Sequence, residues 1–193
     1  MSETTILDNG AVVTGGARSR VIPDGAVAWR EDRIVALGSA TELRERFRDA
    51  HILDARGGLI MPGMVNLHHH FYSALARGLD PGVELKGFSE VLEGLWWRLD
   101  RALTPDAVRI SARLTVADCI RWGCTTVFDH HASPSCLRGS LETIAAVVEE
   151  AGLSAVLCYE ASDRNGHSEA ASGIEENLEF CASHREHPRI RGT

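Results

Sequence analysis

Nine consecutive residues, Pro62-Gly63-Met64-Val65-Asn66-Leu67-His68-His69-His70, join a turn, a short apolar strand and a histidine cluster. Side chains two apart on a strand share a face, so His68 and His70 can address one metal ion while His69 points away. Imidazole suits zinc and iron alike, and the pair reads as part of a site for one divalent metal, Zn or Fe. Part only: a closed site takes four ligands, and a catalytic one takes three plus water. Two later apolar runs also end in polar residues. Asp129-His130-His131 closes one and Tyr159-Glu160 the other, positions from which His130, His131 and Tyr159 could touch a substrate. In the long stretch from Phe71 to Arg101, Trp97 could wall a flat ring, although packing with Leu92, Leu95 and Leu99 claims at least one of Trp96 and Trp97. Arg77 reads as a surface or loop-anchoring arginine. His184 and His187, near a helix C-terminus, read as structural, as does His167.

These residues need strands and helices to position them. Up to Gly58 the pattern is short strands, Thr4 to Leu7 and Ala11 to Thr14 around an Asn9-Gly10 turn, then Gly25 to Trp29 and Arg33 to Leu37 around Glu31-Asp32. Ser39 and Glu42 are spaced to cap a short helix, and His51 to Asp54 reads as a further strand. Beyond Gly58 strands and helices alternate. The strands are Leu59 to Leu67, Cys124 to Asp129, Ser154 to Tyr159 and the opening of a fourth at Arg189 to Arg191. Thr104-Pro105 opens a helix whose apolar spacing is Ile110, Leu114, Ala117 and Ile120. A second helix carries Ile144, Val147, Val148 and Ala151, and a third, capped by Ser172 and Glu175, carries Ile174, Leu178 and Cys181. Such units imply parallel strands joined by crossovers. No glycine-rich phosphate loop follows any strand, and histidines at a strand end favour a barrel over a doubly wound sheet.

Composition narrows the partners. At 193 residues, 44% hydrophobic and 24% charged, the chain is of ordinary globular type, and a net charge of -7 argues against nucleic acid. The five cysteines form no CxxC pair, which suits reduced thiols and a cytoplasmic location. No stretch is apolar enough for a membrane span, and no basic start precedes an apolar run, so neither a membrane partner nor a signal peptide is expected. A (β/α)8 barrel needs eight strands and about 250 residues, whereas residues 59 to 193 hold about four strands. The expectation is therefore a truncated chain, with homo-oligomer formation or self-association through bare sheet edges.

Pro62 to His70, following Gly57-Gly58, resembles the amidohydrolase superfamily, whose first barrel strand ends in a PGxVNxHxH type motif. The resemblance continues through Phe71-Tyr72-Ser73, Ala76-Arg77-Gly78, Leu95-Trp96-Trp97-Arg98-Leu99, Thr104-Pro105 and Gly123-Cys124-Thr125-Thr126-Val127-Phe128-Asp129. It covers essentially the whole chain and is most similar to the cytosine-deaminase-like branch, closest to the SsnA aminohydrolase and chlorohydrolase group. What it implies is an α/β fold, the N-terminal part of a metal-dependent (β/α)8 TIM-barrel hydrolase over residues 59-193, preceded by a partial small β-sandwich over residues 1-58. It also implies that His68 and His70 are the metal ligands of the first strand, with the remaining ligands and the proton shuttle beyond Thr193.

The implied reaction is hydrolytic deamination or dechlorination of a small nitrogen heterocycle, a hydrolysis of non-peptide C-N bonds, with this chain inactive alone. One alternative is hydrolysis of a cyclic amide, as in imidazolonepropionase-like enzymes. The other is a non-catalytic truncated protein that self-associates.

Overall fold

Apolar residues at every second position of the first strands converge on one small core, in which Ile6, Ala26 and Ala28 are covered by Leu43. This computed structural model describes residues 3–193 and falls into two compact units that divide between Pro62 and Gly63. The first unit contains β1 (Thr4–Val13), β2 (Val21–Arg30), β3 (Arg33–Ser39), α1 (Ala40–Arg46), β4 (His51–Asp54) and β5 (Leu59–Ile60). Its sheet runs β3-β2-β1-β4, with β5 also on β1. Ser39 caps α1 as expected, accepting from the Glu42 N–H at 3.2 Å.

Two expectations fail here for a local reason. Asn9-Gly10 is no hairpin: β1 runs through it as one strand, with register shifts against β2 on either side of Gly10. Asn9 takes a left-handed φ of 55°, its carbonyl accepts from the Gly57 N–H at 2.7 Å, and a Cβ on Gly10 would lie 2.7 Å from the Gly58 carbonyl oxygen. The dipeptide serves as a bulge where a second segment packs close. The strand expected over Leu59 to Leu67 is likewise two strands. Leu59 and Ile60 pair with Ala11 and Val12, and a new strand starts after Met61-Pro62-Gly63, because Pro62 has no N–H to continue a ladder.

The second unit contains β6 (Met64–His69), a 3-10 turn at Phe71–Ala76, α2 (Phe88–Val91), a π-helical turn at Leu92–Trp96, α3 (Trp97–Ala102), α4 (Pro105–Arg121), β7 (Cys124–His131), α5 (Ser140–Glu150), β8 (Ser154–Tyr159), α6 (His167–Ser183) and β9 (Ile190–Gly192). Its strands lie in the order β6-β7-β8-β9 and every pair is parallel. A doubly wound sheet reverses its strand order at a switch point, whereas strands laid down in chain order form the arc of a barrel. Thr104 caps α4, accepting from the Ala107 N–H at 3.2 Å, with Pro105 at the first helical position.

The helical stripes divide by neighbourhood. On α5, Ile144, Val147 and Val148 are buried as the spacing predicts. On α4 the predicted stripe of Ile110, Leu114, Ala117 and Ile120 faces outward, while Val108, Ala112, Val116 and Cys119 pack inward. That helix is apolar on two faces, so spacing alone selects the wrong one. On α6 Ile174 and Leu178 are exposed, and Gly173, Glu176 and Phe180 pack instead.

Nor does Ser172 cap α6. The helix starts after Gly166, whose φ of 105° breaks the chain, and Ser172 lies within it. Buried Glu176 has a different use: it accepts the N–H groups of Gly139 at 2.9 Å and Leu141 at 3.2 Å, holding the first turn of α5. Among the described residues no helix is long and apolar enough to cross a membrane.

Candidate metal centre

Alternation on β6 and the residue after it sends His68 and His70 to the face of the sheet opposite the helices. Their Nε2 atoms come within 3.1 Å of each other, with the rings nearly perpendicular at 86°. Two nitrogens bound at 2.0–2.1 Å to one tetrahedral ion lie about 3.3 Å apart, so the pair fits a shared ion. The chemistry of the donors fits too. His70 Nδ1 lies 2.9 Å from the His130 carbonyl oxygen, which can only accept, so Nδ1 carries the proton and Nε2 presents its lone pair. Among the described residues no group of three or more His, Cys, Asp and Glu side chains gathers around a common point. The structure thus presents two donors.

His69 turns the other way. Its Nδ1 lies 3.0 Å from Asp129 Oδ1, and the same oxygen accepts the Phe71 N–H at 2.6 Å. Asp129 is buried, and burial pushes its carboxyl upward despite the hydrogen bonds from His69 and Phe71. One carboxylate oxygen therefore ties the end of β6 and the turn after it to β7.

A cavity of about 510 Å³ adjoins the histidine pair. His68, His70, Tyr72, Trp96, Trp97 and His130 form part of its wall, and Asp100, Glu160 and Arg164 form another. Burial, then the nearby charges of Asp100 and Glu160, push the Tyr72 phenol up to about 12, so it stays neutral. The Arg164 guanidinium lies over the Trp97 ring with Cζ 5.4 Å from the centroid. Of the residues expected to meet substrate, Trp97 and His130 line this cavity.

His131 and Tyr159 do not reach it. Both are buried on the helix side of the sheet, where His131 Nε2 meets Ser133 Oγ at 2.8 Å and the Tyr159 hydroxyl accepts the Ser133 N–H at 3.1 Å. Strand parity is the reason: His131 pairs in register with Tyr159, one position beyond His130 and Cys158, and so faces the other way. The same parity selects Glu160, which follows Tyr159 at the strand end and was not among the expected substrate contacts. Asp100 and Arg164, sixty-four residues apart and joined at 2.7 Å, gave no local signal. Arg77 pairs with Asp118 at 2.7 Å at the surface, and His187 bridges Glu149 and the backbone of Arg189 and Ile190.

The second unit is thus a parallel strand-helix arc with paired histidines at the end of its first strand. The chain belongs to the amidohydrolase family, which it matches over residues 59–190. It is 33% identical over 160 residues to the 8-oxoguanine deaminase of Pseudomonas aeruginosa, covering 81% of this chain and 34% of that protein. With the 5'-deoxyadenosine deaminase of Methanobrevibacter smithii it shares 30% identity over 178 residues, 92% of this chain and 38% of that protein.

Among solved structures, an adenosine deaminase from Xanthomonas campestris with bound zinc superposes with a TM-score of 0.80 at 24% identity, covering 98% of this chain and 42% of that one. An atrazine chlorohydrolase from Arthrobacter aurescens complexed with zinc gives 0.77 at 20% identity, covering 98% and 46%. The chain therefore spans less than half the length of each of these proteins.

Proposed function

We propose that this chain forms the first-strand metal ligands and one wall of the ring cavity in a metal-dependent amidohydrolase that deaminates or dechlorinates a nitrogen heterocycle. The carrying observation is the 3.1 Å approach of His68 Nε2 and His70 Nε2 beside a cavity flanked by Tyr72, Trp96 and Trp97. Relatives named for deamination of oxoguanine and of deoxyadenosine support a purine-like ring as substrate. Zinc in two structural neighbours supports zinc over iron. A divalent ion held there supplies water activation near neutral pH and charge stabilisation. The protein's share is orientation: the His130 carbonyl fixes the His70 tautomer, Asp129 locks the strand end through His69 and Phe71, and the aromatic groups hold a flat ring. Two ligands and no assigned proton shuttle leave these 193 residues inactive alone. Five unpaired cysteines suit a reducing compartment, and we place the protein in the cytoplasm.

Calorimetric titration with zinc tests the site. One ion per chain is expected, with affinity falling more than the about tenfold that loss of a supporting hydrogen bond costs when His68 or His70 becomes alanine. Unchanged affinity in both variants would reject the site.

A second property follows from the outward stripe of α4, where Ile110, Leu114 and Ile120 are 52%, 50% and 56% exposed. Apolar side chains in that number favour self-association. Light scattering across a concentration series should show mass rising with concentration, and a monodisperse monomer throughout would exclude it.

A further inference from the structure

The cavity wall contains a charged cluster that the histidine pair does not use. Along β8, Ala155, Leu157 and Tyr159 face the helices and the alternate positions face the opposite side of the sheet. Glu160 continues that alternation, since its N–H donates to the His131 carbonyl at 2.8 Å, and it lines the cavity with His68 and His70. Arg164 clamps it. Arg164 Nε donates to Glu160 Oε2 at 3.1 Å, Nη2 donates to the same oxygen, and Nη2 also reaches Asp100 Oδ2 at 2.7 Å. With its guanidinium over Trp97 and its side chain only 11% exposed, Arg164 is a fixed post.

All of these donors fall on Oε2. Glu160 Oε1 accepts from none of the described residues, and the side chain stays 27% exposed. Two carboxylates around one guanidinium also leave this wall with a formal charge of -1, counting Asp100, Glu160 and Arg164.

We infer that Glu160 determines specificity in the ring cavity: its Oε1 accepts an N–H from the amino-substituted edge of a nitrogen heterocycle, and its charge excludes rings that carry a carboxylate. This rests on reading the cavity as the ring site of the proposed hydrolase. A ring presenting an amino group or a protonated ring nitrogen satisfies the free oxygen. One presenting only methyl groups strips water from a carboxylate and returns nothing, and an anionic ring meets a like charge in a partly desolvated wall. Arg164 acts as a positioning residue, holding the Glu160 rotamer so that little freedom is lost on binding.

The test is NMR titration of the full 193-residue chain, kept metal-free with a chelator, using three single-ring probes of similar size: 2,4-diaminopyrimidine, 2,4-dimethylpyrimidine and pyrimidine-4-carboxylate. Shifts at the indole of Trp97 and the ring of His130 report binding. The expected order is diaminopyrimidine at least tenfold tighter than dimethylpyrimidine, with pyrimidine-4-carboxylate weakest. Glu160→Gln should shrink the first preference at least fivefold and bring pyrimidine-4-carboxylate to within threefold of dimethylpyrimidine.

Equal affinity of the wild-type chain for the diamino and dimethyl probes overturns the proposal even if the variant fails to fold. So does a folded Glu160→Gln chain that keeps the wild-type order. Absence of shifts at Trp97 and His130 from every probe overturns the ring-site reading beneath it. Because no metal is present, failure of the zinc site leaves these results unaffected.

Discussion

Asp129→Ala should destabilise the second unit by about 3 kcal/mol, the order of loss expected when a buried, hydrogen-bonded charge partner is removed. The carboxylate is the shared acceptor for the Phe71 N–H at 2.6 Å and for His69 Nδ1 at 3.0 Å; Asp129 and Phe71 are buried and the His69 side chain is 12% exposed. Alanine leaves a buried N–H without a partner and removes the hydrogen bond that holds the His69 ring. Asp129→Asn keeps an oxygen for the Phe71 N–H and should lose less than half as much. Urea unfolding followed by the near-ultraviolet signal of the tryptophans, all four of which lie at positions 29, 96, 97 and 122, separates the variants. A loss under about 1 kcal/mol for alanine would show that the strand end is held by packing instead.

Acid should weaken the fold through His131. This imidazole is fully buried, its Nδ1 has no partner among the described residues, and burial, then the nearby His130, push its pKa from 6.5 down to about 3. The sign follows from linkage: the unfolded chain takes up a proton below 6.5 that the folded chain refuses. The stabilising contribution is complete above pH 6.5 and is lost as pH falls toward 3, at about 1.4 kcal/mol per unit. Between pH 6.5 and 5 the loss is about 2 kcal/mol. Asp100 and Asp129 act in the opposite sense, because burial raises both carboxyls and favours the folded state as acid is added. The comparison that isolates His131 is therefore wild type against His131→Asn. The stability difference between them should narrow by about 2 kcal/mol over that interval. Parallel pH profiles would contradict a neutral, buried imidazole.

Strand identities in the second unit were legible because each strand is a short apolar run closed by a glycine or polar boundary. Ser154 to Tyr159 is the clearest case, its bounds being those observed. Which face of a helix turns inward was less legible. Leu114 and Val116 are equally apolar, and only the neighbours of α4 decide between them. Asn9-Gly10 misled because its turn chemistry also suits a bulge, and the segment that makes it one, Gly57-Gly58, arrives some fifty residues later.

At the site, parity read along β6 separated His68 and His70 from His69. The same rule carried to β7 and β8 would have replaced His131 and Tyr159 by Glu160. Asp100 and Arg164 lay out of reach of any local rule, since their contact joins α3 to the loop after β8.

The proposed metal centre requires His68 and His70 to share one ion. Side-chain nitrogen NMR of the chain labelled at histidine, titrated with zinc, reads each of the nine imidazoles separately. With a shared ion, Nε2 of His68 and Nε2 of His70 shift together and saturate at one equivalent, while His69 Nε2 holds its position. Movement of His69 with either neighbour, or shifts of His68 and His70 that saturate separately, would contradict it.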